Sequence, residues 1–174
     1  ATKGGVIPHQ FMPAVRKGVE QVLATGAVAG FPMQDVRVVV HDGKHHPVDS
    51  KEVAFVSAGR KAFLDAVAKA RPIVLEPVVS VEVICPEANT GDIAGDLSSR
   101  RGQVTGTSGL GPGVLAVSGL APLVELDGYS ARLKSVTGGH GSFTMALSHY
   151  EPAAPGLQQQ LTADYDKRRK HDED

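Results

Sequence analysis

Nine consecutive residues, His41-Asp42-Gly43-Lys44-His45-His46-Pro47-Val48-Asp49, hold three histidines and two aspartates. These are metal-ligand types, and a metal-dependent enzyme built on His41, His45 and His46 is one chemistry they allow. Paired metal-binding histidines usually need a helix that puts both rings on one face, whereas this stretch leaves an alternating run through Asp42-Gly43, a turn sequence. The other chemistry is recognition, by an exposed loop whose Lys44, His45 and His46 meet phosphates or bases. Arg100 and Arg101 close a helical run, where the helix dipole favours cations and a phosphate could be held. His140 sits between glycines in Gly138-Gly139-His140-Gly141. Gly109-Leu110-Gly111-Pro112-Gly113 leads into a strand rather than a helix N-terminus, so it aims no dipole at an anion. Ser142 lacks the spacing of a nucleophile elbow, and no phosphate-binding G-x-x-x-x-G-K-[ST] occurs. Cys85 alternates with strand neighbours as a small buried hydrophobe. No catalytic set and no metal site is assigned on these residues.

The bulk numbers narrow the classes. The 174 residues are 41% hydrophobic and 21% charged, the balance of an ordinary globular protein. Eighteen basic residues against nineteen acidic ones leave a net charge of −1, which excludes a strongly basic nucleic-acid-binding domain while permitting local patches. One cysteine excludes an internal disulfide framework and fits a reducing, cytoplasmic setting. The longest uncharged stretch, Gly102 to Val124, holds six glycines and two prolines, so it reads as turns and short strands rather than a membrane span. No secretory signal is visible, and the chain enters its first element without an initiator Met, as if cut from something longer.

Elements must place those side chains. Val15, Val19, Val22 and Leu23 form a helical stripe from Pro13 to Thr25, stopped by Gly26. Val36, Val38 and Val40 alternate in a strand of about Gln34 to His41. Asp49-Ser50-Lys51-Glu52 resembles a capping box with Asp49 as cap, followed by Val53, Val56, Phe63 and Val67 at helical spacing to about Ala70. One strand cannot make a sheet, so its partners are expected upstream. From Val74 the order becomes strand (to Ile84), helix (Pro86–Arg100), two strands (Gln103–Thr107 and Val114–Leu120) around a loop, helix (Pro122–Val136), and strand (Ser142–His149). That is the split βαβ, ferredoxin-like pattern, with Ile93, Leu97, Leu126 and Leu133 facing the sheet, and with Phe143, Met145 and Leu147 alternating against Thr144, Ala146 and Ser148 in the last strand. The charged run Asp166 to Asp174 reads as a solvated, disordered end.

Several segments in order resemble the C-terminal part of bacterial elongation factor G, the ribosomal translocase. They are Gly4-Gly5-Val6-Ile7-Pro8; Asp42-Gly43 with His46-Pro47-Val48-Asp49-Ser50; Leu75-Glu76-Pro77; Thr90-Gly91-Asp92-Ile93 with Arg100-Arg101-Gly102; and Gly128-Tyr129-Ser130 with Leu133-Lys134-Ser135. The resemblance implies an α+β chain. Residues 1–71 would be the latter part of domain IV, an incomplete unit like the second domain of ribosomal protein S5. Residues 72–152 would be the ferredoxin-like βαββαβ domain V, and 153–174 a C-terminal tail.

It also implies a function. The chain would be the ribosome-binding arm of a translational GTPase that promotes tRNA–mRNA translocation. The GTP-binding domain, with its GTP and magnesium, would lie outside this fragment, which itself would not be an enzyme. His46, with His45, Lys44, Gly43 and Asp42, would form the tip that enters the small-subunit decoding region beside tRNA and mRNA. Arg100, Arg101 and His140 would face large-subunit rRNA. Lys44-His45 stand where Ser-Tyr is usual, Leu126-Asp127 where Met-Phe is usual, and His140 where Arg is usual, as in a divergent paralogue. Ribosome recycling or protection is the alternative within the family; a stand-alone interaction module is the alternative outside it.

Overall fold

The structure is a computed structural model that describes residues 7–44 and 51–173, with side chains described as far as residue 168. It divides into two compact units, Ala1–Val74 with Ala154–Asp174, and Leu75–Ala153.

In the first unit, α1 (Met12–Thr25) and α2 (Glu52–Lys69) lie side by side. Pro13 occupies the first turn of α1, where its missing N–H costs nothing, and Gly26 ends the helix at φ 81°. Ala14 and Val15 cluster with Phe55, and Val19 and Val22 with Phe63 and Val67, so the two helices run in the same sense. Their close approach depends on glycine. A Cβ at Gly18 would lie 2.1 Å from the Val56 carbonyl oxygen, and one at Gly59 would lie 2.6 Å from that of Val15. The buried face of α2 is Phe55, Gly59, Phe63 and Val67, with Val56 half-buried; Val53, expected inside, is 71% exposed. Lys51 holds the N-cap position without a side-chain cap, and Asp49, expected there, lies outside the described residues.

Two further expectations change. The stretch 34–41, expected as a strand, is irregular: it bends at Asp35, φ 55°, and forms no ladder among the described residues, since a ladder needs a second chain segment to bond. Val40 packs on the Ala14–Phe55 cluster, while Val36, Val38 and Val39 stay exposed. The expected disordered end is instead a helix, α5 (Pro155–Glu173). Its half-buried residues Leu157, Gln158, Leu161, Thr162 and Tyr165 share one face.

In the second unit, β1 (Leu75–Pro86), β2 (Gln103–Gly111), β3 (Val114–Pro122) and β4 (Ser142–Pro152) form one antiparallel sheet in the order β2-β3-β1-β4. With α3 (Thr90–Ser99) after β1 and α4 (Tyr129–Val136) before β4, this is the ferredoxin-like topology. Val79, Val81 and Val83 meet Ile93, Leu97, Leu126 and Leu133 in the core. The hairpin turn is only Pro112-Gly113, so β2 and β3 run further than the sequence indicates; Gly113 at φ 73° supplies the left-handed corner. The helix expected over 122–136 breaks into a short turn, Leu123–Leu126, and α4, because Gly128 adopts φ 67°. That break leaves Leu123 exposed. On the edge strand β4 only Phe143 packs into the core, and Met145 and Leu147 are exposed.

The glycine contact between α1 and α2 predicts that Gly18→Ala lowers the stability of the first unit by about 1–3 kcal/mol in urea unfolding, since the clash is with backbone that cannot rotate away.

Candidate functional site

The sequence nominated two groups of residues, and the structure treats them differently. His41, Asp42 and Lys44 are exposed, in the irregular segment before residue 45. The Gly43 N–H donates to Asp42 Oδ1 at 2.7 Å, a local bond between neighbours, and no turn forms over residues 41–44. A Cβ on Gly43 would lie 2.3 Å from Ile7 Cδ1, so a larger residue there would push the end of the Ile7 side chain aside. His45 and His46 lie outside the described residues. Among the described residues no three His, Cys, Asp or Glu side chains gather as a metal-binding group.

Arg100 and Arg101, nominated as a possible contact to rRNA, are engaged by groups of their own unit. Arg100 Nε pairs with Asp96 Oδ2 at 3.3 Å, and its Nη1 donates to the carbonyl oxygens of Glu125 and Asp127. Its guanidinium carbon also lies 5.2 Å from the centroid of the Tyr129 ring, a cation–π distance. Arg101, held at φ 59°, forks onto both carboxylate oxygens of Glu76 and reaches Glu125 Oε1 at 3.3 Å. Glu76 is 6% exposed, so Arg101 supplies the partner that a buried carboxylate requires. Hydrogen bonding to Glu76 raises the already high pKa of the guanidinium. Arg132 Nε reaches the other oxygen of Asp96 at 3.2 Å, a partner the sequence did not point to. A phosphate at this place would have to compete with carboxylates.

His140 is different. It is exposed in a turn whose Gly138 and Gly139 adopt φ 60° and 89°, positions open to glycine. The turn is held from below by the buried Thr137, whose hydroxyl donates to the Leu133 carbonyl at 2.7 Å and accepts the Gly141 N–H at 2.8 Å. A rigid base thus carries an exposed imidazole.

Two polar features escaped the sequence reading. An extra residue in β4, Ser148, bulges out of the ladder opposite Val78 and Val79. Its hydroxyl is 2.9 Å from His149 Nδ1, and His149 Nε2 is 2.8 Å from Glu151 Oε1, an exposed surface chain. Tyr129 is fully buried with no partner for its hydroxyl, and burial pushes its pKa up to about 12. Burial likewise raises the thiol of Cys85, which a hydrogen bond with Thr90 partly offsets.

Comparison with known proteins joins these parts. Residues 1–71 match the family model of elongation factor G, domain IV, and residues 73–161 match that of the elongation factor G C-terminus. The chain belongs to the elongation factor G family. An elongation factor G-like protein of Thermotoga maritima is 42% identical over 158 residues, covering 91% of this chain and 23% of the relative. An elongation factor G of Aquifex pyrophilus is 45% identical over 158 residues, covering 91% of this chain and 22% of the relative. A crystal structure from Thermus thermophilus matches with a TM-score of 0.80 at 34% identity, covering 95% of this chain and 25% of that one. The chain therefore spans about a quarter of the length of the elongation factor G relatives it matches. Among the described residues no helix is long and apolar enough to cross a membrane.

Two outcomes test the internal bracing. Arg101→Ala strands the buried Glu76 and should cost about 1–3 kcal/mol in urea unfolding, less than a fully buried pair because the Arg101 side chain is 42% exposed. Tyr129 keeps its proton longer when folded than unfolded. Stability should therefore fall as pH rises from 10, the usual tyrosine value, towards about 12. In Tyr129→Phe that loss should shrink in pH-dependent denaturation curves, at no more than ~1 kcal/mol cost at neutral pH.

Proposed function

We propose that this chain is the ribosome-binding C-terminal arm of a translational GTPase, and that it promotes movement of tRNA and mRNA during elongation. The observation that carries the reading is the tandem match: domain IV and the C-terminal domain of elongation factor G follow one another along residues 1–161 in family order. Nucleotide hydrolysis belongs to a part of the parent protein other than these two domains. The arm's contribution is occupancy and contact, with no covalent bond made or broken.

In this reading the segment from Asp42 to His46 enters the decoding region of the small subunit. The exposed Lys44 supports it, since it offers a cation to a partner next to the Asp42–Gly43 pair. Lys44 supplies charge to phosphate, and the imidazoles of His45 and His46 supply hydrogen bonds to tRNA or mRNA. On the second unit His140 is the residue best suited to large-subunit rRNA, because Arg100 and Arg101 already serve carboxylates of their own unit. Ribosome recycling is the second reading. It would use the same two domains.

In the full-length protein, His46→Ala should slow single-turnover translocation by about tenfold, the equivalent of one hydrogen bond of ~1.4 kcal/mol. Ribosome-stimulated GTP hydrolysis should stay near wild type. Unchanged translocation together with impaired subunit splitting would select recycling instead.

A further inference from the structure

The C-terminal helix returns to the first unit and takes hold of two particular places in it. At its start, the side-chain amide of Gln158 bridges a strained stretch of backbone. Its Oε1 accepts the Val74 N–H at 3.2 Å, and its Nε2 donates to the Pro72 carbonyl at 3.3 Å. The stretch it spans is the one by which the chain leaves the first unit. Arg71 there adopts φ 53°, a conformation that costs a non-glycine residue energy, Ile73 is 61% exposed, and Val74 is buried. No regular secondary structure supplies hydrogen bonds to residues 71–74. Gln158 supplies them instead, to both polar groups flanking Ile73, and only a primary amide offers an acceptor and a donor side by side.

Seven residues on, two turns along the same face, Tyr165 makes the second fastening. Its ring lies where a Cβ on Gly30 would come within 2.9 Å, and its hydroxyl donates to the Gly26 carbonyl at 3.4 Å. Gly26 and Gly30 both have positive φ, which glycine adopts without strain, and the Tyr165 ring fills the space left by the missing Cβ at Gly30.

We propose that Gln158 is a positioning residue for the arm. By holding Pro72 and Val74 in one conformation, with Tyr165 anchoring the same helix on the Gly26–Gly30 turn, it fixes the path of residues 71–74. This deepens the translocation reading and rests on it. An arm that works by occupying a place must transmit force through its connecting segment, and a slack segment would dissipate it.

The test is hydrogen exchange at the Val74 amide in the whole chain, paired with translocation by the full-length protein. Gln158→Leu keeps the volume and removes both hydrogen bonds. Gln158→Glu keeps the acceptor for Val74 and loses the donor to Pro72. Exchange at Val74 should rise about three- to tenfold in Gln158→Leu, the worth of one hydrogen bond. It should stay close to wild type in Gln158→Glu, while amides of the α1 core such as Val22 are unaffected in both. Gln158→Leu should slow single-turnover translocation without changing ribosome-stimulated GTP hydrolysis. Unchanged exchange at Val74, or an equal rise at Val22, overturns the clasp. Faster exchange with unchanged translocation overturns the positioning role. If His46→Ala slows translocation and Gln158→Leu does not, only this inference fails; if neither does, the translocation reading itself fails.

Discussion

The pairing of β1 with β4 is the constraint on which the rest of the chain depends. β1 bonds to β3 along one edge and to β4 along the other, so its backbone polar groups are satisfied by segments far away in sequence. The ladder with β4 runs to Leu75 opposite Pro152, the first residue of one strand and the last of the other. The chain therefore leaves the second unit beside the place where it entered. That adjacency returns α5 to the first unit, where Gln158 and Tyr165 find their partners. Without the β1–β4 register, a segment so far downstream would have no reason to belong there.

Two kinds of close packing hold the units. Between α1 and α2 the glycines Gly18 and Gly59 let backbone approach backbone, and the aromatic pair Phe11–Phe55 stacks at 4.3 Å beside that contact. In the second unit the sheet presents one apolar face to α3 and α4, and charge completes the packing around it. Asp96 receives Arg100 and Arg132, while Glu76 receives Arg101. These carboxylates are largely removed from water and would be costly without their cations. The adjacent arginines thus act as braces between α3, the start of β1 and the turn before α4. An Arg-Arg pair at a helix end has the composition of a phosphate site, but neighbouring carboxylates decide its use.

The surfaces left for partners are correspondingly small. In the first unit they are the exposed run from Val36 to Lys44, and in the second the His140 turn, stiffened by Thr137. The first is mixed, with Val36, Val38 and Val39 exposed beside His41, Asp42 and Lys44, and the second sets one imidazole on a braced turn. Rigid presentation of this kind lowers the ordering cost of a contact with a partner.

Local patterns carried much of the fold. The order of elements after Val74, the α1 stripe with its Gly26 stop, and the core set Ile93, Leu97, Leu126 and Leu133 could all be read from residue type and spacing. So could the family, since its motifs are short and in order. What escaped depends on partners that are distant in sequence. The stretch 34–41 alternates like a strand but makes no ladder, because pairing is a property of two segments. The end of the chain looks solvated if its charges are weighed, yet Leu157, Leu161 and Tyr165 recur every four residues, a helical signal that the charged run obscured. Arg100 and Arg101 look available until Glu76 and Asp96 are placed beside them. Periodicity is written in neighbours along the chain, and so sequence determines which stretches favour helix or strand. Hydrogen-bond partners, ion pairs and buried orphans such as the Tyr129 hydroxyl are chosen by closure of the sheet and docking of α5, which only the tertiary structure decides.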